Sequence, residues 1–140
     1  DLDTDIVYTQ EKDKHRFHIN THLVDADQQT PVQGAFPVTL DYVYSKQGMS
    51  IVVDYCPLTA CLVLPVIAAP SEVVDITSKG MLLQKKEGVL EIICVNGMLK
   101  VAPTDEDGRI FNPVPGFSFV PLQIFPEGEN KKIQIEITYN

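Results

Sequence analysis

The chain has 140 residues, 44% hydrophobic and 21% charged, with 19 acidic against 11 basic side chains and a formal net charge of −8. That is enough chain for one self-sufficient core, and more apolar content than a disordered chain carries. The charge repels phosphate backbones and sulfated glycans, which excludes nucleic acid as a natural partner and favours neutral or basic ones.

The opening "DLDTD" lacks the basic region followed by an apolar region that marks a secretion signal. Beyond it, alternation with period two dominates. In "RFHINTHLV", Phe17, Ile19, Thr21 and Leu23 fall on one side of an extended strand, and Arg16, His18, Asn20 and His22 on the other. "FPVTLDYVYS" sets Val38, Leu40, Tyr42 and Tyr44 on one face and Thr39, Asp41 and Val43 on the other, and "KQG" turns it into "MSIVVDY" as a hairpin. Tyr42 and Tyr44 are expected to pack inward with Val38 and Leu40.

"CPLTACLVLPVIAAP" is the most apolar stretch. Its apolar run is about eleven residues with two prolines, whereas a membrane helix needs about 20 without such breaks, so no membrane span is expected. A strand covered on both faces fits it, with Pro65 at an edge or bulge where no ladder donor is required. Four residues separate Cys56 from Cys61, against two in thioredoxin-like motifs. Reduced thiols acting as small hydrophobes are favoured over a bridge across a hairpin, and Cys94 in "EIICV" is read as core.

In "QKKEGVLEIICVNGMLKVAP", Asn96-Gly97 sits between apolar runs. Asn-Gly meets the positive φ demanded at both central positions of a type I′ turn, so "GVLEIICV" and "MLKVA" are expected to pair as a hairpin. "KKIQIEITY" closes the chain as a one-sided strand, with Ile133, Ile135 and Ile137 on its apolar face. The two best helical windows, "YTQEKDKH" and "SEVVDITSKGMLLQ", are short and interrupted by polar or β-branched residues. Ten prolines and eight glycines punctuate runs of strand length. The fold expected is one all-β domain over residues 1–140, an antiparallel β-sandwich of about seven to nine strands. Its core is drawn from Val38, Leu40, Leu62, Leu64, Val66, Leu90, Ile92, Cys94, Phe119, Leu122, Ile133, Ile135 and Ile137.

All three histidines lie in "HRFHINTH". On a strand His18 and His22 share a face about 13 Å apart, too far to ligate one ion, while His15 points to the other face if the strand extends that far. His18, Asn20 and His22 are therefore candidate ligand-binding residues on a polar face. "TDEDGRI" offers Asp105 and Asp107 as candidate ligands of a calcium loop, beside the competing reading of an acidic β-turn. No nucleophile elbow, zinc-protease helix, P-loop or dinucleotide fingerprint is present, so no catalytic residue is assigned and no cofactor is implied. Tyr8, Tyr55, Phe111 and Phe117 lie near turns, where exposed rings can meet a sugar.

The succession "FPVTLDYVYS", "CLVLPVIAAP", "GMLLQKKEGVLEIICVNG" and "DGRIFNPVPGFSFVPLQI" resembles the accessory β-sandwich regions of bacterial polysaccharide-degrading enzymes, heparinase II/III-like lyases among them. The resemblance spans roughly residues 36 to 138. It implies a non-catalytic module, extracellular or periplasmic, partnered by a catalytic domain of the same or a neighbouring chain or by a neutral glycan. In such lyases the catalytic Tyr and His lie elsewhere in a longer chain, and no position here matches them. The alternative is a small self-standing enzyme with a loop-built acid/base site near His18 and His22, completed by carboxylates such as Asp25 and Asp27.

Overall fold

The computed structural model describes residues 4–25, 27, 29–32, 34, 36–54, 56, 60–102, 118–129 and 131–140. Among them are eleven strands and no helix: β1 (Asp5–Glu11), β2 (Lys14–His22), β3 (Pro37–Ser45), β4 (Gly48–Val53), β5 (Leu62–Ile67), β6 (Val73–Thr77), β7 (Gly80–Lys85), β8 (Gly88–Asn96), β9 (Met98–Val101), β10 (Phe119–Phe125) and β11 (Ile133–Tyr139). The count exceeds the expected seven to nine because both doubtful helical windows form hairpins, β1–β2 and β6–β7. The fold is an antiparallel β-sandwich. An eight-stranded sheet in the order β1-β2-β3-β4-β11-β8-β7-β6 faces a three-stranded sheet in the order β5-β10-β9.

The core forms where the two inner faces meet. From the large sheet come Ile51, Val53, Met81, Leu83, Ile92, Cys94, Ile133 and Ile135, and from the small sheet Val66, Leu99, Leu122 and Ile124. Each such side chain contributes on the order of 1.5–3 kcal/mol when fully buried. Phe119 departs from expectation. It is three residues from Leu122, so strand alternation turns it to the opposite face, where it is half-buried outside the core.

β5 is an edge strand rather than one covered on both faces. Leu62, Leu64 and Val66 turn inward, while Val63 and Ile67 are exposed. Pro65 stands opposite Pro121 of β10. The Ala68 N–H donates to the Ser118 carbonyl three pairs away, so alternation makes the proline pair one that exchanges no ladder hydrogen bond. The Pro65 nitrogen faces the open edge, where its missing N–H costs nothing. This is why a proline is tolerated in the middle of the most apolar run.

Asn96-Gly97 does not close a hairpin. β8 belongs to the large sheet, paired with β7 and β11, and β9 to the small one, paired with β10. The dipeptide is the corner where the chain changes sheets. Asn96 is absent from the non-glycine residues of positive φ, which are Lys12 and Lys131 among the described residues, so a type I′ turn does not form. The β6–β7 turn holds the corner on both sides: the Cys94 N–H donates to the Lys79 carbonyl at 2.8 Å and the Leu99 N–H to the Ser78 carbonyl at 2.9 Å. A register shift against β11 between Gln134 and Ile135 leaves Val95 as an extra residue on β8, bending the strand toward the second layer.

Candidate functional site

The three-stranded sheet is too narrow to cover the eight-stranded one, and the part of the inner face left uncovered is β1, the start of β2 and the Tyr44 end of β3. Burial falls away strand by strand along one row of cross-strand neighbours, from Ile51 at 2% exposed, through half-buried Tyr42 and Phe17, to Tyr8 at 49%. Tyr44 lies one row on and is 42% exposed, so it does not pack inward with Val38 and Leu40 as expected. It shares their face, but the covering layer stops short of it.

Tyr8, His15, Phe17 and Tyr44 line an open depression of about 500 Å³ on this overhang. β2 already runs as strand from Lys14, which puts His15 on the face opposite His18, as its spacing requires. The Tyr8 and Phe17 rings lie 5.1 Å apart between centroids, and the Phe17 and Tyr44 rings 6.0 Å apart edge to face. The Tyr8 hydroxyl is 2.8 Å from His15 Nδ1 and donates toward Gln10 Oε1 at 3.2 Å.

The outer face of the same strands holds the polar set. His18 lies directly across from Asp41 of β3, and its Nδ1 is 2.9 Å from Asp41 Oδ1. Arg16 reaches that same oxygen with Nε and Nη2, each at 2.7 Å. Asp41 is the one buried charged side chain among the described residues, at 9% exposed. Burial pushes its carboxyl up, but the hydrogen bonds from His18 and Arg16 and the charges behind them outweigh this and hold it below the ordinary carboxylate range. An ionised carboxylate only accepts, so His18 Nδ1 carries the hydrogen. Sequence reasoning placed Asp41 on the right face but overlooked it as a partner. The signal was present: a carboxylate flanked by β-branched and aromatic residues in mid-strand needs a counter-charge.

Asn20 is exposed, and its Oδ1 accepts from Thr39 Oγ1 at 3.1 Å. His22 ends β2, half-buried. Asp25 has a local structural task, since Oδ1 accepts the backbone N–H groups of Asp27 and Gln29, each at 2.9 Å. The carboxylate held by His18 is therefore Asp41, and Asp25 is committed to its own turn. Asp105, Asp107, Tyr55, Phe111 and Phe117 lie outside the described residues, and among those described no group of three His, Cys, Asp or Glu side chains converges on a metal position. No helix there is long and apolar enough to cross a membrane.

The three cysteines carry reduced thiols. Burial pushes all three pKa values up, helped at Cys56 by Cys61 nearby, which is opposite to what a nucleophilic or redox thiol needs. Cys56 and Cys61 instead line an apolar cavity of about 170 Å³ with Leu23, Leu40, Val53 and Leu62. Replacing Cys56 with serine is expected to cost about 1–2 kcal/mol in a urea melt, through a hydroxyl placed among aliphatic groups. Mass spectrometry of the unreduced protein should count three thiols, and a quantitative Cys56–Cys61 bridge would contradict this account.

Two layers of antiparallel strands, with the Asp41–His18 pair on one face of the large sheet and the exposed rings of Tyr8 and Tyr44 on the other, make this a β-sandwich module. The chain belongs to the ulvan lyase C-terminal domain family, whose model matches residues 1–140. It is thus an accessory region of a polysaccharide-degrading enzyme. The match does not extend to the heparinase II/III-like lyases that the sequence also resembled. No curated protein matches the chain.

Proposed function

We propose that residues 1–140 form a single non-catalytic module of an extracellular or periplasmic ulvan-degrading lyase, packing against its catalytic domain and holding polysaccharide beside it with low affinity. The family match over the whole chain carries this reading. Exposed apolar side chains support the packing role: Val73, Leu82, Ile93 and Val95, at 69, 44, 45 and 54% exposed, run diagonally across the outer face of β6 to β8. Such a stripe, rimmed by Asp75 and Glu91, has the character of an interdomain contact.

His18, Asn20 and His22 supply hydrogen bonds to sugar hydroxyls along the outer face of β2. With a net charge of −8, the module as a whole does not attract a polyanion, so its grip on glycan rests on such bonds and on ring faces. The competing reading, an enzyme using His18 as a base oriented by Asp41, rests on the 2.9 Å contact between them. It is the weaker one, because Arg16 already occupies the same carboxylate oxygen.

Separating the module from the rest of its protein tests the proposal. Turnover of polymeric ulvan should fall severalfold when residues 1–140 are removed, while turnover of short oligosaccharides is retained and the module alone releases none of the unsaturated sugar ends that a lyase leaves. Release of such ends by the module alone would reverse the assignment.

A further inference from the structure

We infer that the outer face of β6 to β8 docks a basic surface of the catalytic domain, one apolar side chain of which sits in the hollow above Gly80 while a lysine or arginine beside it answers Asp75 and Glu91. This rests on the proposed packing role and names the chemistry of the partner surface.

The hollow follows from a missing side chain. Two neighbouring cross-strand rows lie on this face, Thr77 with Gly80 and Ile93, and Asp75 with Leu82 and Glu91. Gly80 leaves the first row without a side chain at its centre, and the six residues line a depression of about 230 Å³. The chain cannot fill it from within, because a Cβ at Gly80 would stand 2.6 Å from the Ile92 carbonyl oxygen. The volume is below the ~300 Å³ at which small-molecule pockets begin, and suits one side chain of a partner. Leu82 and Ile93, both exposed beside it, favour an apolar one.

Charge identifies the partner. Asp75 and Glu91 stand on either side of Leu82, about 10 Å apart at ~4.8 Å per strand. Glu136 of β11 lies across from Ile93 on the same face. Among the described residues none of these three carboxylates is in an ion pair. The lysines at the two ends of β7 are engaged elsewhere: Lys79 holds the Gly97 carbonyl and Glu127, Lys85 pairs with Glu72 at 3.1 Å, and Lys86 stands beside Glu87 in the turn. A covering surface without cations would take these carboxylates out of water unpaired, which opposes docking. A second copy would set the same carboxylates against their own kind, since a two-fold contact joins like patches, and a polyanion would be repelled for the same reason. A basic patch on a domain of the same protein meets the requirement, and the covalent tether lets a contact of modest area hold.

The test uses the full-length lyase. Carboxyl labelling with a carbodiimide and glycine ethyl ester, read by mass spectrometry, should modify Asp75 several times more slowly than Glu11 and Asp13, although all three are exposed within residues 1–140. Asp75→Lys combined with Glu91→Lys, in an enzyme that keeps the circular dichroism of the parent, should release the module, seen as about tenfold faster proteolytic cutting between it and the catalytic domain. The labelling is done on the unmodified protein, so it decides the matter even where the variant misfolds. Asp75 labelled as fast as Glu11, in an enzyme whose small-angle scattering shows one compact particle, would overturn this docking face and leave the packing role to another. Scattering from two bodies moving freely on a tether would overturn both. Protection that is lost on dilution, with a dimer seen in sedimentation, would make the occupant a second copy, and lysine variants cut at the parent's rate would show that the partner surface is not basic; either result defeats the inference.

Discussion

Replacing Gly97 with valine is expected to lower stability by about 3–4 kcal/mol. Gly97 has a φ of 118°, a region closed to β-branched residues, and a Cβ built there would stand 2.8 Å from the Phe125 carbonyl oxygen and 3.2 Å from Ile124 Cγ2. Neither neighbour can retreat: Phe125 is backbone in the strand beside β9, and Ile124 is fully buried. Lys79 Nζ donates to the Gly97 carbonyl at 2.9 Å and also pairs with Glu127, so the corner is fastened from a third side. Chemical denaturation with circular dichroism detection measures the loss. A valine variant as stable as the parent would mean that the corner is not where the two sheets are joined.

Asp41→Ala should cost about 2–3 kcal/mol at neutral pH, because it strands Arg16 and His18 beside a buried site that no longer accepts their hydrogen bonds. The figure stays at the low end for a broken buried pair, since the Arg16 side chain is 55% exposed and the freed guanidinium can turn to water. The pH dependence follows from the lowered pKa of Asp41. A carboxyl that ionises more readily in the folded than in the unfolded chain contributes stability above its unfolded value, about 3.9, and that contribution is lost as pH falls through the folded value. The gap between parent and variant should accordingly be full at pH 7 and narrow below about pH 4. An equal gap at acid and neutral pH would show that the charge of Asp41 is not what holds β2 to β3.

Strand positions were legible because alternation is a local property. Phe17 against His18, Leu40 against Asp41 and Ile135 against Glu136 each face the way their neighbours dictate. Sheet membership was not, since it depends on partners far along the chain. Asn96-Gly97 has the composition of a hairpin, yet the residues that decide its conformation are Ser78 and Lys79, whose carbonyls take the donors on either side of it. The overhang was hidden for a related reason. Nothing in "DYVYS" states that the opposing layer has three strands against eight, so Tyr44 reads as core and emerges at 42% exposed. His18, Asn20 and His22 were placed on one face correctly, but Asp41 became visible as the partner of His18 only once β3 was set beside β2.

Affinity electrophoresis of the chain in a gel containing the polysaccharide, with ultraviolet absorbance followed on the same mixture, tests the central claim most directly. An accessory module that holds the polymer without acting on it should be retarded in the gel, with no rise in absorbance from unsaturated sugar ends. Absorbance that rises with time and is abolished by His18→Ala would instead make the chain an enzyme in its own right.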